Sequence, residues 1–183
     1  MDFKPLVETF AQMEQTSSRL ALTDYLVSLL KKTPPDLIDK VTYLIQGKLY
    51  PDYEGVEMGL AERMALRAIA ISSGKNISAV EAVYRETGDI GDTTGKVMVS
   101  KAQSTLISEP MTVERVYSTF DRIARTVGPG SQETKLRHVS SLLNDSTAEE
   151  ARYIMKFVMG TLRLGIADYT VLDALAIAFT GNK

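Results

Sequence analysis

The stretch Lys156–Ala176, KFVMGTLRLGIADYTVLDALA, decides the fold class of this protein. Apolar side chains recur at helical spacing on both sides of a short connection, GTLRLG, and glycine is a common residue just after the end of a helix. Two helices with a tight joint between them are typical of an all-α protein. The joint also raises a question, because Arg163 lies between two leucines and two glycines where a simple turn would be polar.

An earlier part of the chain repeats this unit. Residues 18–70 align with residues 131–176, at an offset of 113 residues before the joint and 106 after it, because the first copy contains seven additional residues. Each copy reads as two helices, a joint that begins with Gly47 or Gly160, a Gly-apolar-Ala-acid sequence and a third helix. A solenoid would need a short period, so we expect two halves related by a pseudo-twofold rotation.

Helical periodicity extends over most of the remaining chain. Predicted helices, bounded by capping residues and terminal glycines, lie at 17–32, 33–47, 59–74, 78–88, 112–128, 131–143, 147–160 and 168–179. Three of the predicted helices have a serine as the expected N-cap: Ser17 or Ser18, Ser78 and Ser131. Residues 96–107 alternate like a strand, and we interpret them as irregular or partly helical. The sequence therefore predicts one all-α domain of about ten helices over residues 1–183.

Composition excludes several classes of protein and site. The chain is 44% hydrophobic and 24% charged, as globular domains are, and it has no cysteine for disulfides or thiolate metal sites. His138 is the single histidine, so no His-based metal site or triad is expected. No apolar run reaches the ~20 residues of a membrane span, and no signal peptide is recognisable. We expect a cytoplasmic protein.

The charge is unevenly distributed. The net charge is −2, with −4 in residues 1–93 and +2 in residues 94–183. An anion-binding surface should therefore draw mostly on the second half of the chain.

The two joints are the first candidate anion sites. Gly59 and Gly165 stand where helices begin, glycine allows close approach of a ligand, and a helix N-terminus presents free N–H groups. Arg163 would add a fixed charge beside one of them. The alternative is that the glycines are purely structural, with Gly160 ending a helix and Gly165 allowing tight packing.

A second candidate is the sequence VGPGSQETKLR. Gly128 and Gly130 flank a proline, Ser131 follows, and Lys135 lies one turn further on, a combination that suits a phosphate. The spacing is not that of a nucleotide-binding P-loop. The alternative is an ordinary capped helix start.

A third candidate lies in the weakly patterned stretch GKVMVSKAQSTLI. Lys101, Gln103 and Ser104 are polar groups that suit contact with phosphates. A solvated loop is the alternative.

Five stretches resemble the N-terminal DNA-binding domain of ATP-dependent DNA ligases of archaeal type. They are GVEMGLAERMALRAIA, GDIGD, LISEPMTVERVY, GPGSQETKLRHVSSLL and EEARYIMKFVMGTLRLGIADYTVLDALA. The most specific parts are Gly130–Lys135 and Leu162–Asp168, and the resemblance covers essentially the whole chain.

The resemblance implies an all-helical domain with two pseudo-symmetric halves that holds duplex DNA from the minor groove beside a nick, mainly through phosphates. Arg163 would then lie at the joint because the joint faces the DNA backbone. For the parent ligase the resemblance implies ATP and Mg²⁺ as cofactors, and nicked DNA, the catalytic domains of the same ligase and a sliding clamp as partners. Its implied settings are DNA replication, repair and recombination, in association with the nucleoid.

Two departures from the family qualify this expectation. No lysine here is followed by x-Asp-Gly, the context of the adenylated lysine, so we expect no catalytic residue, cofactor or metal site in this chain. The nucleotidyltransferase and OB domains are expected to be absent, which would make the chain an inactive fragment. Lys156 replaces a frequent arginine, and the chain is acidic, so we expect weak DNA binding. A protein-interaction module with purely structural joints is the alternative function.

Overall fold

The protein is described here by a computed structural model that covers residues 1–101 and 109–181. These residues form ten α-helices and two short 3-10 turns, and their one β-bridge joins Asp2 to Thr112. The prediction of an all-α fold is confirmed. In the described ranges no helix has the length and apolarity needed to cross a membrane.

The helices are numbered in chain order. They are α1 Lys4–Glu14, α2 Arg19–Lys32, α3 Ile38–Ile45, α4 Glu62–Ser73, α5 Ile77–Thr87, α6 Ile90–Val99, α7 Val113–Arg125, α8 Ser131–Asp145, α9 Ala148–Val158 and α10 Asp168–Thr180.

Local chemistry explains where several helices begin. The side chains of Ser18 and Thr112 accept hydrogen bonds from backbone N–H groups in the first turns of α2 and α7. Thr147 and Glu150 form a reciprocal capping box at the start of α9. These contacts depend on residues within one turn, which is why the sequence located the helices well.

Two predicted caps and two helices differ from the expectation. Asn76 occupies the cap position of α5, so Ser78 lies inside the first turn. Gly130, in the left-handed conformation, precedes α8, so Ser131 is the first helical residue and not the cap. Helix α1 and the first part of α6, residues 90–95, have no counterpart among the predicted helices, whereas the end of α6 agrees with the interpretation of residues 96–107 as irregular or partly helical.

The two repeat segments have the same order of helices. Helices α2, α3 and α4 of the first correspond to α8, α9 and α10 of the second. The third helix of each repeat packs on the first helix of the other repeat: α4 packs on α8, and α10 packs on α2. Ion pairs join Arg67 to Glu133 in one pair of helices and Arg19 to Asp173 in the other, with the charges reversed. This reciprocal packing suits a pseudo-twofold, and the rotation itself stays a prediction.

Helix α9 lies at the centre of the molecule and packs against α6 and α1. Its ring at Phe157 stacks on Phe120 of α7 with centroids 4.5 Å apart. Two of its basic residues, Arg152 and Lys156, face carboxylates of α1, α6 and the turn before α6. The core thus fixes α9, and with it the joint that follows α9.

Candidate nucleic-acid interface

We define joint 1 as residues 47–61 and joint 2 as residues 160–167. Both joints begin with the same helix ending, since Gly47 and Gly160 have φ of 71° and 66°. The N–H that follows each glycine donates back to the preceding helix, over 2.9 Å in joint 1 and 2.8 Å in joint 2. The opening glycines are therefore C-terminal caps, as the structural alternative proposed. A Cβ atom on Gly47 would lie 4.0 Å from the carbonyl oxygen of Leu162, so the two joints are neighbours.

Joint 2 presents Arg163 because the leucines on either side are anchored. Leu162 and Leu164 are 7% and 5% exposed, whereas Arg163 is exposed. Its Nη1 donates to the carbonyl oxygen of Leu162 over 3.2 Å, and no described carboxylate pairs with it. Gly165, with φ of 67°, has open space where a side chain would lie. The joint therefore places a cation and an accessible backbone on the surface, beside the start of α10.

Each joint faces the end of the helix that comes from the other repeat. Joint 2 and the end of α3 line a cavity of about 350 Å³, which includes Arg163, Gly165, Lys48 and Asp168. Joint 1 and the end of α9 line a cavity of about 540 Å³. The amide of Gln46 donates to Asp168 over 3.1 Å, which ties α3 to the first turn of α10.

Joint 1 is tethered at its start by helix α7. The hydroxyl of Tyr117 donates to the carbonyl oxygen of Leu49. The next residue, Tyr50, donates to Asp121 and accepts from Arg125 over 2.8 Å. Burial, above all, raises the pKa of Tyr117 to about 12, so its phenol stays protonated as a donor.

The end of joint 1 is held by two residues near the start of α8. The side-chain amide of Gln132 donates to the carbonyl oxygen of Gly59 and accepts from the N–H of Ala61, each over 2.9 Å. The ammonium of Lys135 donates to the carbonyl oxygens of Met58 and Gly59, over 2.7 and 3.4 Å. Joint 1 therefore lies against the start of α8.

The starts of α4 and α8 consequently lie side by side. Contacts follow the same direction along both helices, from Ala61 with Gln132 to Ser72 with Ser140, so the helices are parallel. Their partial positive charges add at this end, which favours an anion. Acids in the first turns have other partners: Glu62 accepts from Tyr84, at 2.9 Å, and Glu133 pairs with Arg67.

The structure separates the candidate residues into three groups. Gly59, Gly130, Ser131 and Lys135 come together where α8 begins. Gly128 lies two residues before Gly130 and accepts from the N–H of Ser131 over 3.2 Å. Arg163 and Gly165 lie on joint 2. Lys101 lies at the other end of α8, where its ammonium donates to the carbonyl oxygen of Asn144. Asn144, and with it the ammonium of Lys101, lies about 20 Å from Ser131 along the axis of α8.

Three of the candidate residues have no observed position on a phosphate-binding surface. Lys135 is 6% exposed and directs its ammonium at carbonyl oxygens, so its predicted contact with a phosphate has no support in this geometry. Gln103 and Ser104 lie outside the described residues, and their role stays a prediction.

Sequence reasoning also missed residues that the structure places at the site. Gln132 lies inside the quoted GSQETK stretch, but its two contacts are with a segment more than seventy residues away. Arg63 is exposed in the first turn of α4. Arg19, which corresponds to Gln132 in the first repeat, pairs with Asp173 of α10 over 3.1 Å. The repeat alignment indicates Arg19, because it places Arg19 opposite Gln132. In the described ranges, no three histidine or acidic side chains are grouped so as to hold a metal ion.

Comparison with known proteins identifies the family. The model of the family described as "DNA ligase N terminus" matches residues 2–176. The chain belongs to the DNA ligase N-terminus family. The whole chain is 52% identical to the DNA ligase of Nitrosopumilus maritimus over 183 residues, and 51% identical to that of Cenarchaeum symbiosum. It is 50% identical over 190 residues to DNA ligase 2 of Thermofilum pendens.

This DNA ligase N-terminal domain spans about a third of the length of those relatives, 31% of the first two and 32% of the third. The recognition of an archaeal-type ligase domain from the sequence is confirmed.

Proposed function

We propose that this domain binds nicked duplex DNA and positions it for an ATP-dependent DNA ligase. It acts in DNA replication, repair and recombination, and it approaches the minor groove through phosphate contacts. The observation that carries the proposal is the presentation of Arg163 by two buried leucines, on a joint of a chain that is 52% identical to a DNA ligase. The buried leucines fix the backbone at residue 163, and the exposed guanidinium suits a phosphate.

The surroundings of the joints support this proposal. Joint 2 leads into the start of α10, and joint 1 leads into the paired starts of α4 and α8, so both joints end in backbone N–H groups that favour anions. Such contacts read the geometry of the phosphate backbone, with little preference for base sequence. They suit an enzyme that must seal nicks in any sequence.

The parent enzyme would carry out three steps of chemistry outside this domain. It would use ATP and Mg²⁺ to form an enzyme–AMP, transfer AMP to the 5′-phosphate of the nick and join the strands. No lysine of this chain has the K-x-D-G context, so the domain contributes binding and orientation. Its partners would be the catalytic domains of the same ligase and a sliding clamp.

A titration of DNA at several salt concentrations tests the proposal. Binding should weaken as salt rises, and Arg163→Ala should reduce the magnitude of the slope of log K against log salt by about 0.9. The loss should be similar for nicked duplexes of different sequence. An Arg85→Ala variant, on the exposed side of α5, is a matched control. If Arg163→Ala leaves affinity and slope unchanged, the DNA surface lies elsewhere.

One observation favours the alternative, a protein-interaction module. Helix α10 exposes Tyr169, Leu172 and Phe179, by 75%, 58% and 58%, along one face. Exposed apolar stripes of this kind mark contact with proteins. The absence of any salt-dependent DNA binding would favour this function.

A further inference from the structure

Gln132 and Lys135 connect α8 to joint 1, and their geometry assigns them a role that phosphate binding does not describe. We propose that both are positioning residues: they hold the end of joint 1 in the shape in which it meets DNA, and neither contacts a phosphate itself. The inference rests on the proposed function and names residues that set the shape of that site.

The amide of Gln132 fits the backbone of joint 1 as a pair of matched hydrogen bonds. Its nitrogen donates to the carbonyl oxygen of Gly59, and its oxygen accepts from the N–H of Ala61. Ala61 is the residue immediately before α4, so this one side chain sets the distance between the starts of α4 and α8. Any movement of joint 1 away from α8 breaks both hydrogen bonds.

Lys135 holds the two residues that precede this point. Its ammonium is directed at the carbonyl oxygens of Met58 and Gly59, and it makes no ion pair with a described carboxylate. A Cβ atom on Gly59 would lie 3.1 Å from Nζ, and Gly59 has φ of 54°, a conformation that favours glycine. A buried charge needs such partners, so the lysine and the loop fix one another.

Joint 1 needs hydrogen bonds from the helix that faces it, whereas joint 2 does not. Joint 1 is seven residues longer than joint 2, and a longer loop has more freedom to lose when it is ordered. At the positions that correspond to Gln132 and Lys135, the first repeat has Arg19 and the buried Leu22. Joint 2 instead lies on its own buried leucines.

The other end of joint 1 is already fixed by the bonds from Tyr117 to Leu49 and from Arg125 to Tyr50. With Gln132 and Lys135 in place, the free part of the joint shrinks to the exposed residues 52–57. The start of α4 is therefore ordered before DNA arrives. A variant that frees it must order it again on binding, and its affinity falls in proportion to the ordered population.

Hydrogen exchange tests the positioning contact without DNA. In Gln132→Met the N–H of Ala61 should exchange roughly tenfold faster, because it loses its acceptor. Gln132→Glu keeps an acceptor oxygen at the same place and should restore most of the protection. Gln12→Met makes the same chemical change on the exposed face of α1 and should leave Ala61 unaffected. Unchanged exchange of Ala61 in Gln132→Met would overturn the inference.

Salt titration with nicked duplex DNA then separates positioning from direct contact. Gln132→Met and Lys135→Met should each bind on the order of tenfold more weakly at every salt concentration, with a slope like that of the parent chain. Arg163→Ala, measured in the same series, should reduce the magnitude of the slope of log K against log salt. If Lys135→Met loses about 0.9 from the slope, the lysine contacts a phosphate and the assignment is wrong.

The two proposals fail in different ways. If the parent chain shows no salt-dependent binding, the proposed function fails, and the positioning role for DNA fails with it. If the parent binds DNA but Gln132→Met combines faster exchange of Ala61 with unchanged affinity, the proposed function stands and the positioning inference alone is wrong.

Discussion

Replacing Gly91 by alanine should destabilise the domain, whereas the same change at Gly95 should not. Both glycines lie inside α6, where alanine is the better helix former by up to ~1 kcal/mol. A Cβ atom at position 91 would lie 2.3 Å from Cγ of Lys156 and 3.0 Å from the backbone oxygen of Arg152. At position 95 the nearest atoms belong to the side chain of Arg152, at 3.4 Å, which is ordinary contact.

The clash at Gly91 outweighs the gain in helix propensity. The clash with the backbone of α9 can be relieved only if α6 and α9 move apart. Overpacking of this kind costs about 1–3 kcal/mol. Displacing Lys156 also disturbs its ion pairs with Asp92 and Glu14, at 3.3 and 3.6 Å. We expect Gly91→Ala to lose about 2 kcal/mol of unfolding free energy in total, and Gly95→Ala to gain up to ~1 kcal/mol.

Urea denaturation followed by circular dichroism measures both variants against the parent chain. For a domain of this size, thermal midpoints should fall by about 4–8 °C in Gly91→Ala and rise by about 2–4 °C at most in Gly95→Ala. If Gly91→Ala were as stable as Gly95→Ala, the close approach of α6 to α9 would not hold in solution.

Four further outcomes are expected. A crystal structure should superpose the two repeat segments by a near-twofold rotation, and an unrelated arrangement would make the repeat an accident of composition. Mass spectrometry after incubation with ATP and Mg²⁺ should show no added AMP, since no lysine has the required context. Burial raises the pKa of Asp92, but the hydrogen bond from Arg152 and the charge of Lys156 outweigh it and hold that pKa below its usual range. The resulting stability is present above the ordinary carboxyl pKa of ~4 and is lost at lower pH, so thermal melts of Asp92→Asn should fall below the parent at pH 7 and approach it in acid. The raised pKa of Tyr117, about 12, means that its protonated phenol stabilises the fold below the ordinary phenol value of ~10 and that this stability is lost as pH rises towards 12. Thermal melts of Tyr117→Phe, followed by circular dichroism, should therefore fall below the parent at pH 8 and approach it as pH rises.

Most of the helices and the positions of both joints follow from the amino-acid sequence alone. Helix caps act on backbone groups within one or two turns, as Thr147 with Glu150 and Gly160 do. Neighbouring residues in the sequence are therefore enough to predict them. The outward position of Arg163 follows from the same local logic, because alternation along an extended joint buries Leu162 and Leu164 and turns the residue between them to the surface.

The surroundings of the joints depend on the tertiary fold. Lys135 has the sequence context of a phosphate ligand, yet its ammonium is held by carbonyl oxygens 76 and 77 residues away along the chain. Gln132 has no local signal at all, because both of its partners belong to joint 1. Whether a polar side chain reaches solvent or a backbone group depends on which distant segment the fold brings beside it, and local propensity carries no information about that.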